Sequence, residues 1–513
     1  MNALSAQTKW IIYAGLNLAF CTALIIGKTA GGGGNLTHLP YVVLLFAICT
    51  SPLPFVGRLN GAVAMLGVAM TVYFLEFGAL DAMSMLRPPP VKAMPPLEDE
   101  GIGRTDVVLW LGALMQILGF LVGARLTGSR RPIGAPKDWP RQLLLPAGIL
   151  LWVAAALATM YHDFVVQPAN TAAAIKKGLE SLGVWRASGL MLIENYAGPL
   201  GIMIVAYWWA VWGRRVGTPL ILALIMVQFV IGWLVDTKEV AISAAVIALL
   251  TRFMVLGKIP KSWLIGCSIA IALVFPILSA KRVVMTEEMQ LTRVEALPRT
   301  LEILARTLQE GTAISAGKYE STSETFLQRE SLRGNVDLII KGTANGHPYK
   351  MGSTFEPLLY LFLPRVLWSD KPSGNSAVLL NREFHVSEDP DTFISPSHLG
   401  EWYWNFGMAG VIVGMALSGA LLGYISVRFD LSTQTSLTRV LVIIVTLYLL
   451  VARSEGQIEI QYALWGRSMA LIGLLHLIMT RAPVARSTVA DSGEHASKGR
   501  PAVELLRFPN LMR

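Results

Sequence analysis

An all-α polytopic membrane protein is the fold class that three observations predict. Mean hydropathy is +0.53, and only 15% of the 513 residues are charged. Apolar runs of about 18 or more residues recur from end to end, each long enough to cross roughly 30 Å of hydrocarbon. The shorter segments of alternating hydrophobicity that a membrane β-barrel requires are not seen. About twelve transmembrane helices are expected, with a large loop between the ninth and tenth that contains short helices.

Taken in order, the spans fall at about 10–28, 40–57, 61–81, 105–125, 142–161, 196–213, 218–235, 239–257, 262–280, 404–427, 437–452 and 460–480. The second is the weakest, because Ser51 to Pro54 (SPLP) breaks it, so a kinked or re-entrant segment is expected there. Gly31 to Gly34 mark a flexible connection, not a phosphate loop, since no strand precedes them and no GK[ST] follows. The start, MNALSAQTKW, lacks the features of a cleaved signal, so the first span is expected to stay as an anchor.

Orientation follows from the distribution of Lys and Arg between spans. With the N-terminus inside, the inner segments collect Arg125, Arg130, Arg131, Lys137, Arg141, Arg214, Arg215, Arg252, Lys258, Lys261 and the basic tail. The short outer segments hold fewer, among them Lys28, Arg87, Lys92, Arg104, Lys238 and Arg453. Both termini are therefore expected in the cytoplasm. The formal charge of +9 reflects those basic inner loops and does not call for nucleic acid.

The expected division is 1–280 for spans one to nine, 281–403 for the outer loop, 404–480 for spans ten to twelve, and 481–513 for a disordered cytoplasmic tail. The loop is too long for a simple connection. Met285 to Gly311 carries apolar residues near helical spacing, and Pro357 to Trp368 is too short to span, so both read as interfacial helices. The three cysteines, Cys21, Cys49 and Cys267, all lie in apolar spans and outline neither a disulfide framework nor a metal site. No HExxH, CxxC or G-x-S-x-G is present. Asp389-Pro390-Asp391 forms a nominal DxD, read as a polar turn around its proline. No metal and no cofactor are expected.

The chemistry-bearing residues crowd between Gly352 and Gly407. Arg365, Lys371 and Arg382 offer cationic donors suited to phosphate. His398 and Glu401 offer proton acceptors, and Glu401 directly precedes the aromatic WYWNFG where a span begins. Elsewhere, Lys238 sits in an outer turn with Asp236 and Glu239. Arg453 and Glu455 lie on the short link between the last two spans, where an interfacial ion pair is the plainer reading. Arg467 falls inside the last span, with Glu459 or a backbone carbonyl as its expected partner. Glu76 and Asp81 near the outer end of the third span are weaker candidates.

The passage Pro364, Arg365, Trp368, Lys371, Pro372, followed by Gly400, Glu401, Tyr403, Asn405, Phe406 and Gly407, resembles the Wzy-type O-antigen or oligosaccharide repeat-unit polymerases. The basic Lys238 in its outer turn fits the same pattern. The likeness covers about 230–480, with hydropathy alone before that, and O-antigen ligases share the architecture. Arg306 and Gly317 also meet an arginine–glycine spacing described for some of these enzymes, a pair that chance alone could supply in this loop.

The resemblance implies a bacterial inner-membrane, metal-independent glycosyltransferase of the glycosyltransferase C type. It would act at the periplasmic face on undecaprenyl-pyrophosphate-linked oligosaccharides. A chain-length regulator and a flippase would be its partners in the bilayer. Lys238, Arg365, Lys371, Arg453 and Glu455 would then bind the pyrophosphate or substrate, and Glu401 or His398 would take the acceptor hydroxyl's proton. A ligase passing a lipid-linked glycan to another acceptor, a transporter or flippase, and a non-enzymatic partner of such a machine remain the alternatives.

Overall fold

The computed structural model describes residues 5–30, 38–56, 61–86, 103–128, 139–162, 193–234, 238–258, 332–360, 375–386, 393–432 and 435–481, with a few isolated positions between them. Among these residues the chain is helical and contains no strand. Helices α1 (Ala6–Ala30), α2 (Leu39–Thr50), α3 (Ala62–Phe77), α4 (Ala79–Leu86), α5 (Arg104–Gly128) and α6 (Arg141–Tyr161) come first. A π-helical turn, Ile193–Ala197, leads directly into α7 (Gly198–Val211), followed by α8 (Arg214–Leu234) and α9 (Lys238–Leu256). Then come α10 (Arg333–Ala344), a 3-10 segment Ser353–Leu359, α11 (Ser376–Phe384) and α12 (Ser397–Arg428). Helix α13 (Leu437–Thr446) runs into a second π-helical turn, Leu447–Ala452, and α14 (Ile458–Arg481) closes the described chain.

Among the described residues, six helices are long and apolar enough to cross a membrane: Gln7–Gly27, Arg104–Thr127, Arg141–Tyr161, Gly217–Leu234, Ser397–Arg428 and Ile458–Arg481. Shorter apolar helices stand at Leu39–Phe55, Ala62–Phe77, Gly198–Val211, Val240–Leu256 and Leu437–Ala452. All coincide with stretches expected as spans. The short ones have local causes. Proline closes α2 at the SPLP sequence, and Gly78 ends α3 with a non-helical φ of −130°. Apart from isolated positions, the expected span at 262–280 and the segment Met285 to Gly311 lie outside the described residues, as does the tail beyond 481.

The outward faces of these helices are apolar. Leu118, Leu121, Val122 and Leu126 of α5, Leu150 and Leu157 of α6, and Leu474, Leu477 and Ile478 of α14 are all exposed. Apolar surface on this scale suits lipid and not water. Inside, one continuous core joins α2, α3, α5, α7, α12 and α13 through residues such as Tyr41, Met70, Leu109, Trp209, Trp404 and Ile444.

The closest pairing is between α5 and α12, and glycines on both helices make it possible. A Cβ at Gly119 would lie 2.0 Å from the Ala416 carbonyl oxygen, and one at Gly123 2.0 Å from that of Ala420. Reciprocally, a Cβ at Gly419 would lie 2.1 Å from the Gln116 carbonyl and one at Gly423 2.2 Å from that of Phe120. Two small-xxx-small stripes thus interlock backbone to backbone, a contact that rests on close packing where lipid removes the hydrophobic drive.

Helix α10 is amphipathic and sits over the ends of α3, α4 and α5. Arg333 Nη2 pairs with Asp106 Oδ1 at 2.7 Å, its Nε lies 3.7 Å from Asp81 Oδ2, and its guanidinium stacks 4.7 Å from the Tyr41 ring centroid. Burial works against the guanidinium's charge, but Asp81, Tyr41 and Asp106 together more than offset it and hold its pKa above the ordinary value. Thr105 donates to Asp337 at 2.6 Å, and Leu332 N–H to the Glu76 carbonyl at 2.9 Å.

Candidate functional site

The residues that give Gly400 to Gly407 its character act first on the fold. The start of α12 is interrupted at Gly407, whose φ of 62° and ψ of −146° leave the helical region. That break releases carbonyls from the helix ladder: Trp404 O accepts from Lys350 N at 3.0 Å, and Asn405 O from Met351 N at 3.1 Å. Asn405 completes the strap. Its Oδ1 accepts from Gly352 N at 2.8 Å, while its Nδ2 donates to Thr354 Oγ1 at 2.7 Å and to the Glu401 carbonyl at 2.8 Å. At Gly400 a side chain would press on Val336 and Ile339 of α10.

These contacts make a prediction. The Gly407 backbone lies where essentially only glycine is comfortable, so Gly407→Ala should cost about 1–3 kcal/mol. Thermal unfolding of the purified protein measures this, and Gly407→Ala melting like the wild type would contradict it.

Glu401 is fully buried. Its Oε2 accepts from Ile458 N at 2.9 Å, capping the N-terminus of α14. Nearby, the Glu459 carboxylate acts electrostatically on Glu401 and accepts from Ser376 N at 3.4 Å. Glu401 thus ties α12 to α14, and Glu459 ties α14 to α11. His398 N–H donates to the Ser454 carbonyl at 2.9 Å, and Ser454 Oγ donates to Glu76 Oε1 at 2.6 Å. The His398 ring, also buried, borders a small void of about 30 Å³ with Glu76, Gln116 and Ser418.

Residues 453–457 are therefore gripped along their length. Ser395 Oγ donates to the Glu455 carbonyl, and Gly456 N closes a tight turn on the Arg453 carbonyl at 2.8 Å. The structure thus gathers four expected site residues, His398, Glu401, Arg453 and Glu455, at one short link. Of the other three, Lys238 opens α9 but its side chain lies outside the described residues, as do Arg365 and Lys371. The DxD at 389–391 and the pair Arg306 and Gly317 also lie outside them. Arg382 borders an open cleft of about 560 Å³ with Glu356, Tyr360 and Ser376.

On the other side of that link, Arg453 lines a cavity of about 220 Å³ enclosed by α6, α7, α8, α9, α13 and α14. Both π-helical turns border it, one through Glu194 and Tyr196 and the other through Tyr448 and Leu449. Such turns interrupt regular pairing and recur at functional sites. The Arg453 guanidinium lies 4.9 Å from the Tyr448 ring centroid. Arg467, which does not itself line the space, lies near enough to act electrostatically on the Tyr196 phenol. Glu194 Oε1 lies 3.3 Å from His162 Nδ1. Gln228, which also lines the space, accepts from Trp152 Nε1 at 2.8 Å. Neither His398 nor Glu401 borders this cavity.

Glu459 receives the Ser376 N–H at 3.4 Å, and Arg467 acts electrostatically on Tyr196. His162, Glu194 and Tyr196 carried no distinguishing signal: His162 ends one apolar run and ENYAGP precedes another, ordinary positions for interfacial polar residues. Among the described residues no group of three or more His, Cys, Asp or Glu side chains could hold a metal ion.

Fold and site together define a helical membrane protein with an arginine-bearing cavity walled by apolar helices. Comparison with protein-family models, with curated proteins and with solved structures finds no match.

Proposed function

We propose that the chain joins sugars delivered on a polyprenyl diphosphate carrier. It would polymerise undecaprenyl-pyrophosphate-linked oligosaccharide repeat units at the periplasmic face of the bacterial inner membrane. In this reading the chain crosses the membrane twelve times, with both termini in the cytoplasm and 281–403 outside. One observation carries it: Arg453 lines a cavity between apolar helices, together with Glu194, Tyr196, Gln228 and Tyr448. Cations set among apolar helices mark sites where anions are met, and the planar guanidinium fork suits phosphate oxygens.

As the glycosyl–diphosphate bond breaks, charge grows on the leaving diphosphate, and Arg453 stabilises it in a site screened from water. The apolar walls take the lipid. Lys238, Arg365 and Lys371 serve as further cations for the approaching carrier. His398, Glu401 and Glu455 act by holding the link that aims Arg453, which their backbone and capping bonds support.

The test is gel analysis of surface polysaccharide from a deletion strain complemented with variants. Wild type restores long chains. Arg453→Ala lowers chain formation about a hundredfold, the usual effect of removing one transition-state donor, and Arg453→Lys recovers only part of it. Full-length polymer from Arg453→Ala counts against the reading. Single repeat units on lipid A mark a polymerase defect, whereas lipid-linked polymer withheld from its acceptor marks a ligase.

A further inference from the structure

Glu194 on the cavity wall is paired with His162 beside it, and the transfer reading gives neither a task. His162 Nδ1 and Glu194 Oε1 are 3.3 Å apart, and their side chains are only 15% and 14% exposed. Glu194 is the one carboxylate among the described residues that line the space. The cavity's other polar lining groups are a guanidinium, phenols, an amide and hydroxyls, none of which takes a proton readily at neutral pH. Glu401 and His398 border other parts of the structure.

We infer that Glu194 is the proton acceptor for the attacking sugar hydroxyl, with His162 as the positioning residue behind it. The proposal rests on the transfer reading. The hydroxyl oxygen of one repeat unit bonds to the anomeric carbon of the other as the bond from that carbon to the diphosphate oxygen breaks. The electron pair leaves with the lipid diphosphate, beside Arg453. The hydroxyl proton passes to the Glu194 carboxylate, which the His162 imidazole 3.3 Å away holds in place. Base and the Arg453 cation then share one cavity, as an in-line displacement requires.

The experiment uses the full-length protein and two readouts. One is binding of undecaprenyl diphosphate to the purified protein in detergent. The other is the rate of polymer formation in membranes that supply their own lipid-linked units. Glu194→Gln should bind undecaprenyl diphosphate within about threefold of wild type while the rate falls about a hundredfold, and Glu194→Asp should retain part of the rate. His162→Ala should lower kcat about tenfold with KM little changed, and His162→Gln, which keeps a donor, should recover most of it.

A Glu194→Gln variant that polymerises normally while Arg453→Ala does not would remove Glu194 from the reaction and leave the transfer reading standing. Loss of undecaprenyl diphosphate binding together with activity in Glu194→Gln would show that Glu194 shapes the cavity, and would also overturn the proposal. A wild-type protein that does not bind undecaprenyl diphosphate, with polymer unaffected by Arg453→Ala, would overturn the transfer reading and this inference with it.

Discussion

Arg333→Ala is expected to lower stability by about 3–5 kcal/mol, the cost of removing one member of a buried ionic cluster. Arg333 is 9% exposed and Asp106 1% exposed. Without the guanidinium, Asp81 and Asp106 would be left facing each other out of water. Asp106 would still accept from Gly103 N, at 3.0 Å, so the start of α5 would persist while its tie to α10 is lost. Combining Arg333→Met with Asp81→Asn and Asp106→Asn should recover most of the loss, because a neutral, well-filled site need not be less stable than a buried ion cluster. Thermal unfolding in detergent reads both outcomes. Arg333→Ala melting at the wild-type temperature would show that α10 docks by other means.

Gly419→Val should be nearly as damaging. The new side chain would begin 2.1 Å from the Gln116 carbonyl oxygen, and a backbone atom cannot step aside as a side chain can. Overpacking costs about 1–3 kcal/mol in cores that can adjust. The upper end applies here, since α5 and α12 must separate along their whole contact. Because Gly423 meets Phe120 in the same way one turn on, the double variant Gly419→Val/Gly423→Val should fail to accumulate. Gly473, whose Cβ would meet nothing within 4 Å, is the control: Gly473→Ala should be harmless. Equal yields and melting for all three would refute the interlock.

Much of the helical layout was legible because apolar runs of lipid length seldom occur outside membrane spans; α5, α12 and α14 fall where their residues predict them. Register within those helices was not. The residues from Gly400 to Gly407 stood out as an unusual constellation, and they do converge on one junction. Their contacts, however, are those of a fastening. Glu401 caps a helix 57 residues away, and Gly407 breaks its own helix so that residues 350 and 351 can bond to it. Side-chain type alone does not separate a buried cap from a catalytic carboxylate. Arg453 was visible as a cation on a short outer link. That it turns toward a cavity depends on the π-helical turn before it, which no periodicity announces. The pairing of His162 with Glu194 joins residues from two different helices, and only tertiary packing creates it.

The cavity's role as a lipid diphosphate site is tested most directly by photocrosslinking. A photoreactive undecaprenyl diphosphate analogue would be irradiated with the purified protein and the labelled peptides mapped by mass spectrometry. Labelling should fall on the two π-helical turns, around Tyr196 and Tyr448, and should be lost in Arg453→Ala. Labelling confined to the outward faces of α1 or α5, and unchanged by that substitution, would contradict the account.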